Sequence, residues 1–139
     1  EAQKSTDEMQ NLMTKYPNLK VICCPTTVGV LACAQAVQNA GSSIKVAGLG
    51  LPSEMKDYVG NDKVCPYMYL WNPIDVGNCA AYAIKAIADK KVGAVGTSFT
   101  AENGTTYQVM TGDTAEVQII VGPPFAFNGD NIADWANVY

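Results

Sequence analysis

Three times in succession this chain runs from a buried apolar strand through a tight loop into a helix start. The loops are Cys24-Pro25-Thr26-Thr27, Gly50-Leu51-Pro52-Ser53 and Leu70-Trp71-Asn72-Pro73. Crossovers in an alternating β/α chain are right-handed, so the strands run parallel and all three loops fall on one edge of the sheet. Open α/β sheets take small ligands at that edge. The pattern predicts an α/β fold, a three-layer sandwich about a mostly parallel sheet, with a β-hairpin towards the carboxyl end. It also fixes a place for a site before it names an occupant.

The chain opens into a helix in which Ser5 and Glu8 have capping-box spacing. Met9, Leu12, Met13 and Tyr16 share one helical face, and Pro17-Asn18 ends the helix. Leu19 to Cys23 reads as a short buried strand. A second helix is expected from Thr27 to Ala40, stopped by Gly41, and a strand from Lys45 to Leu49. A short helix near Ser53 to Val59 and a third strand, Val64 to Leu70, come next. Asn72-Pro73 then supplies an N-cap residue and a proline at the first helical position, opening a helix to about Lys90. Beyond Lys91 glycine, threonine and β-formers dominate. Asn103-Gly104 is a hairpin turn between Thr97–Ala101 and Thr106–Met110. Val117 to Val121 is a further strand, which Pro123-Pro124 stops, and Asp130 to Tyr139 holds one short helical turn. The first helix lacks the strand that a β/α unit would place before it. The expectation is therefore a fragment of a longer protein.

With 139 residues, the chain suits one domain with a single core. It contains no histidine and no arginine, and its formal net charge is −4. Without histidine there is no Ser-His or Cys-His pair and no HExxH zinc motif. Without arginine there is no bidentate clamp for phosphate or carboxylate. No basic stripe points to nucleic acid. The five cysteines have no metal-type spacing and read as core packing. No metal, no cofactor and no catalytic residue is expected.

Gly48-Leu49-Gly50 opens like a dinucleotide fingerprint, but Ser53 stands where the third glycine belongs. The glycines are better read as permitting close backbone approach to a ligand or a facing lobe. Pro25-Thr26-Thr27 brings backbone N–H groups and two hydroxyls together; it is either an ordinary helix cap or a ligand contact. Trp71 either plugs the core or offers a flat apolar face to a sugar, with Asn72 beside it able to donate and accept. Asp75 serves the helix dipole, and turn formation accounts for Asn103-Gly104-Thr105.

The segments KVICCPTTVGVLACAQAVQNAG, KVAGLGLPSEMKDYV, YLWNPIDVGNCAAYAIKAI and GPPFAFNGDNIADW resemble the C-terminal lobe of type I periplasmic solute-binding proteins. Within them the chain is similar to the group of ABC importer components that bind autoinducer-2 or rhamnose. The resemblance covers nearly the whole chain, residues 1–139 being one lobe of two. It implies a protein that closes over a sugar-like ligand. Its proline loop maps to Pro25 and Thr27, with Thr26 between them, and its pocket tryptophan maps to Trp71 with Asn72 alongside. Ribose-type relatives carry an aspartate near the position of Gly50, so a ribose-like contact pattern is not implied.

The implied protein is exported. It takes a small polyhydroxylated ligand and hands it to ABC permease subunits. It meets the membrane only through the permease or a lipid anchor upstream of Glu1. Two cysteines side by side at 23 and 24 suggest a reducing habitat for such a protein. The alternatives are the ligand-sensing core of a sugar-responsive transcription regulator and a sugar-processing enzyme on the same scaffold.

Overall fold

The computed structural model describes residues 1–114 and 116–138. In chain order the elements are α1 (Ala2–Lys15), β1 (Val21–Cys24), α2 (Thr27–Asn39), β2 (Lys45–Gly48), α3 (Pro52–Met55), β3 (Met68–Leu70), α4 (Pro73–Ala88), β4 (Ser98–Thr100), β5 (Thr106–Thr111), β6 (Val117–Ile119), β7 (Phe125–Phe127) and α5 (Ile132–Trp135). They fall into two compact units. One is Glu1–Leu70 together with Phe125–Tyr139, and the other is Trp71–Pro124. The expected Tyr139 end of the last helical turn lies outside the described residues.

In the first unit β1 and β2 pair in parallel, with Val21 opposite Lys45 and Cys24 opposite Gly48. A parallel bridge between Leu49 and Tyr69 carries the arrangement on to β3. β3 then pairs antiparallel with β7, Met68 opposite Phe127 and Leu70 opposite Phe125. The sheet is thus smaller and less uniformly parallel than the sequence suggests. Alternation along the strands puts Cys24, Val46, Met68, Leu70 and Phe127 into the core, while Val21, Cys23 and Tyr69 are exposed. Helices supply the rest of that core: Met9 from α1, Val30, Cys33 and Val37 from α2, Met55 from α3 and Ile132 from α5. Phe125, Phe127 and Trp135 form an aromatic cluster, with Phe125 4.9 Å from each of the other two rings.

Several local expectations need correction. α1 begins at Ala2, and Ser5 lies inside it, donating its backbone N–H to Glu1 O at 3.0 Å. No side chain caps this helix, so the Ser5/Glu8 capping box does not form. The third strand shrinks to Met68–Leu70 because Pro66 lacks an N–H for a ladder. Just upstream, the Cys65 N–H turns to Tyr58 O and its carbonyl accepts from the Gly60 N–H. α3 is a single turn rather than a helix to Val59. Gly41 does stop α2: it sits at φ +60°, and the Ser42 N–H returns to Val37 O at 3.1 Å.

The second unit has its own core of Cys79, Ala86, Val92, Phe99, Tyr107 and Val109. β4 and β5 pair antiparallel across the Asn103-Gly104 turn, with Gly104 at φ +84°, and β6 extends them to three strands. Phe99 and Tyr107 face each other across β4 and β5, ring centroids 5.4 Å apart. The Tyr82 hydroxyl on α4 donates to Glu102 at 2.7 Å.

Candidate ligand-binding site

Two of the three junction loops leave the carboxyl ends of the parallel strands β1 and β2, and a direct bond ties them: the Leu49 N–H donates to Cys24 O at 3.1 Å. Thr26 is the N-cap of α2, in extended conformation, and its Oγ1 accepts the Gly29 N–H at 3.1 Å. A helix start leaves about four N–H groups without intrahelical partners, and Thr26 takes one of them. Pro25 and Thr26 are exposed and Thr27 is half-buried. The capping role of Thr26 is therefore real, and it leaves Pro25 and Thr26 open to solvent at the positive end of a helix dipole, a setting that favours hydrogen-bond acceptors and negative charge.

Pro25 and Thr26 also line a cavity of about 300 Å³ whose walls include Lys4, Ser5 and Glu8 of α1. Sequence reading placed none of these three near the loop. The only signal for them is that Lys4 and Glu8 stand four apart and so share a face of α1.

Gly50 behaves otherwise. It is buried, and its N–H donates to Tyr69 O at 3.3 Å. A Cβ added there would meet Met68 Sδ at 2.6 Å, with Met55 Cγ and Val30 Cγ1 each at 3.1 Å. A side chain at position 50 would therefore enter the core and not a ligand. The glycine is required by the close passage of three apolar side chains. Gly50→Ala should cost about 1–3 kcal/mol by overpacking, read as a lower urea midpoint in the absence of any ligand.

Trp71 and Asn72 open the second unit. Asn72 caps α4, its Oδ1 accepting the Ile74 N–H at 2.9 Å, with Pro73 at the first helical position. Trp71 is 57% exposed, so it does not plug a core. Among the described residues no helix is long and apolar enough to cross a membrane. Nor do three or more His, Cys, Asp or Glu side chains among them gather to hold a metal ion.

Two titratable groups with displaced pKa values stand at the root of the Pro25–Thr27 loop. There the neighbouring Cys33 and burial push the Cys24 pKa up, while Cys24 lowers the Cys33 pKa against the opposing effect of burial. Burial pushes Cys65 up to about 11. On the second unit Lys85, 3.0 Å away, lowers the pKa of Asp89.

Residues 1–92 match the periplasmic binding protein domain family. The chain belongs to that family. Solved structures with the same fold extend the match to the remaining residues. A solute-binding protein of an ABC transporter from Clostridium phytofermentas, solved with bound L-rhamnose, is 44% identical, with a TM-score of 0.87. The match covers 100% of this chain and 46% of that one. A sugar ABC transporter protein from Actinomyces odontolyticus is 36% identical, with a TM-score of 0.82, over 97% of this chain and 43% of that one. LsrB from Clostridium saccharobutylicum, in complex with AI-2, shares the fold at 22% identity and a TM-score of 0.77, over 97% of this chain and 45% of that one. This periplasmic binding protein chain thus spans less than half the length of the solved proteins it matches.

Proposed function

We propose that this chain is the C-terminal lobe of an exported, two-lobe solute-binding protein that captures a small sugar-like ligand for an ABC importer. The observation that carries the reading is 44% identity, along the whole chain, to a solute-binding protein holding L-rhamnose. A deoxy sugar of the rhamnose type is accordingly the first ligand to test, and AI-2 the second.

In this reading the backbone N–H groups of Thr26 and Thr27 donate to ligand hydroxyls beside Pro25, Trp71 stacks on an apolar C–H face, and Asn72 keeps Trp71 fixed by capping the helix behind it. Gly50 contributes no side chain, and its N–H is already used within the sheet. No bond in the ligand is made or broken. Contacts from both lobes favour a closed form, and the importer's membrane subunits select that form.

Calorimetric titration of the two-lobe protein with L-rhamnose and with AI-2 tests the proposal. One ligand should bind saturably, and Trp71→Ala should weaken it by about tenfold, the equivalent of about 1.4 kcal/mol of lost stacking and burial. Binding that ignores Trp71→Ala would remove the tryptophan from the site. Silence with both ligands and with a wider panel of sugars would overturn the ligand class.

A further inference from the structure

We propose that Asn103 is a self-modifying residue: the Gly104 backbone nitrogen displaces its side-chain amide, leaving isoaspartate and aspartate at the tip of the β4–β5 hairpin. The turn brings the reacting atoms together. Asn103, Gly104 and Thr105 are all exposed. The Asn103 side chain folds back along the main chain, its Oδ1 accepting the Thr105 N–H at 3.0 Å. That bond closes a ring across the Asn103–Gly104 peptide and so keeps the side-chain carbonyl carbon beside the attacking nitrogen. It also gives the oxygen a donor as negative charge develops there. Gly104 sits at φ +84°, and a Cβ built on it meets nothing within 4 Å, so no neighbour hinders ring closure.

The step needs no co-reactant but water. The Gly104 nitrogen gives up its proton and bonds to Asn103 Cγ, the Cγ–Nδ2 bond breaks, and ammonia leaves a succinimide ring behind. Water then opens the ring at either carbonyl, giving one carboxylate, and no electron is transferred. One restraint opposes the attack: the Gly104 N–H donates to Ala101 O at 2.9 Å. At an exposed hairpin tip, opening that bond is a local event. The product adds a negative charge next to Glu102, which accepts the Tyr82 hydroxyl. Isoaspartate also lengthens the main chain between β4 and β5.

A second Asn-Gly pair shows what the fold adds to the dipeptide. Asn128 folds back in the same way, its Oδ1 accepting the Asp130 N–H at 2.8 Å. Asn128 is half-buried, however, with its N–H donating to Asn131 Oδ1 at 3.0 Å and its carbonyl accepting the Ile132 N–H at 3.0 Å. A Cβ on Gly129 would lie 3.3 Å from Gly60 Cα. Ring closure there must undo the start of α5, which carries the core residue Ile132.

The test follows the folded chain and the guanidinium-unfolded chain side by side at neutral pH, with peptide mapping by mass spectrometry at both asparagines. Unfolded, the two sites should convert at like rates. Folded, Asn128 should lag Asn103 by at least about tenfold, because its opening breaks more of the structure. Electron-transfer fragmentation should find isoaspartate at position 103, and hydroxylamine should trap the succinimide by cleaving the chain between Asn103 and Gly104. Gly104→Ala should slow conversion at Asn103 and leave Asn128 as it was, while the hydroxylamine trap needs no variant to fold. An intact Asn103 in the folded chain, a folded Asn128 that converts as fast, or aspartate formed without isoaspartate would each overturn the proposal.

Discussion

Gly48→Ala is expected to destabilise the first unit by about 4 kcal/mol, a large share of the 5–15 kcal/mol that holds a typical domain together. Two causes act at one position. The backbone there sits at φ +156°, where a residue with a side chain is strained. The added methyl would also fall on the carbonyl of Cys24, its partner across the β1–β2 pair. No rotamer relieves that overlap, because the obstacle is main chain and not a side-chain end. The strands must separate, and the Leu49-to-Cys24 bond that ties the two loops goes with them. Gly41→Ala is the internal control. Its φ is also positive, at +60°, but a Cβ there meets nothing within 4 Å, so only the conformational cost of about 1 kcal/mol applies. Urea unfolding followed by Trp135 emission, in a Trp71→Phe background so that only the first unit reports, separates the two. Equal midpoints for the two alanine variants would show that the overlap is relieved at no cost.

The second large effect is expected at Phe127. Its side chain is 0% exposed, between Met68 across the β3–β7 pair and the rings of Phe125 and Trp135. Phe127→Ala removes that buried ring and leaves a cavity, which should cost about 3–5 kcal/mol. Because Trp135 stands edge-on to Phe127, with ring centroids 6.0 Å apart, its emission should shift to the red even before unfolding. Phe127→Leu retains most of the volume and should recover more than half of the loss. A blue-shifted or unaltered Trp135 in Phe127→Ala would mean that the ring is not what shields the indole.

Phe127 also marks where the sequence stopped being readable. Helices α2 and α4 were legible because their starts are written in local chemistry: Thr26 and Asn72 are cap residues, and both cap bonds form. The parallel pairing of β1 with β2 followed from the helix between them. By contrast, β7 is three residues long and stands directly after two prolines. Its partner is remote in the sequence, and no local signal encodes such a pairing. Pro66 was likewise visible, yet its effect depended on where the Cys65 backbone found other partners. Of the site, the cap loop and the exposed tryptophan were legible as residue types. The burial of Gly50 was not, since a glycine admitted for close approach to a ligand looks the same in sequence as one admitted for close packing of methionines.

The pairing of Leu70 with Phe125 has a consequence for how the molecule is made. The second unit leaves the first at Trp71 and returns at Pro124, from neighbouring positions on adjacent strands. It is therefore an insertion between two halves of one sheet. A ribosome delivers β1, β2 and β3 early, but the strand that covers the outer edge of β3 emerges only after the whole insertion. Until then Met68 and Leu70 lack the partner strand that brings Phe125 and Phe127 over them, and the edge is open to wrong partners. Closing so long a loop costs little more than closing a shorter one, because the entropy grows only with the logarithm of length. The delay is therefore one of synthesis time, and the nascent chain is exposed longest at the edge where the mature sheet is completed last.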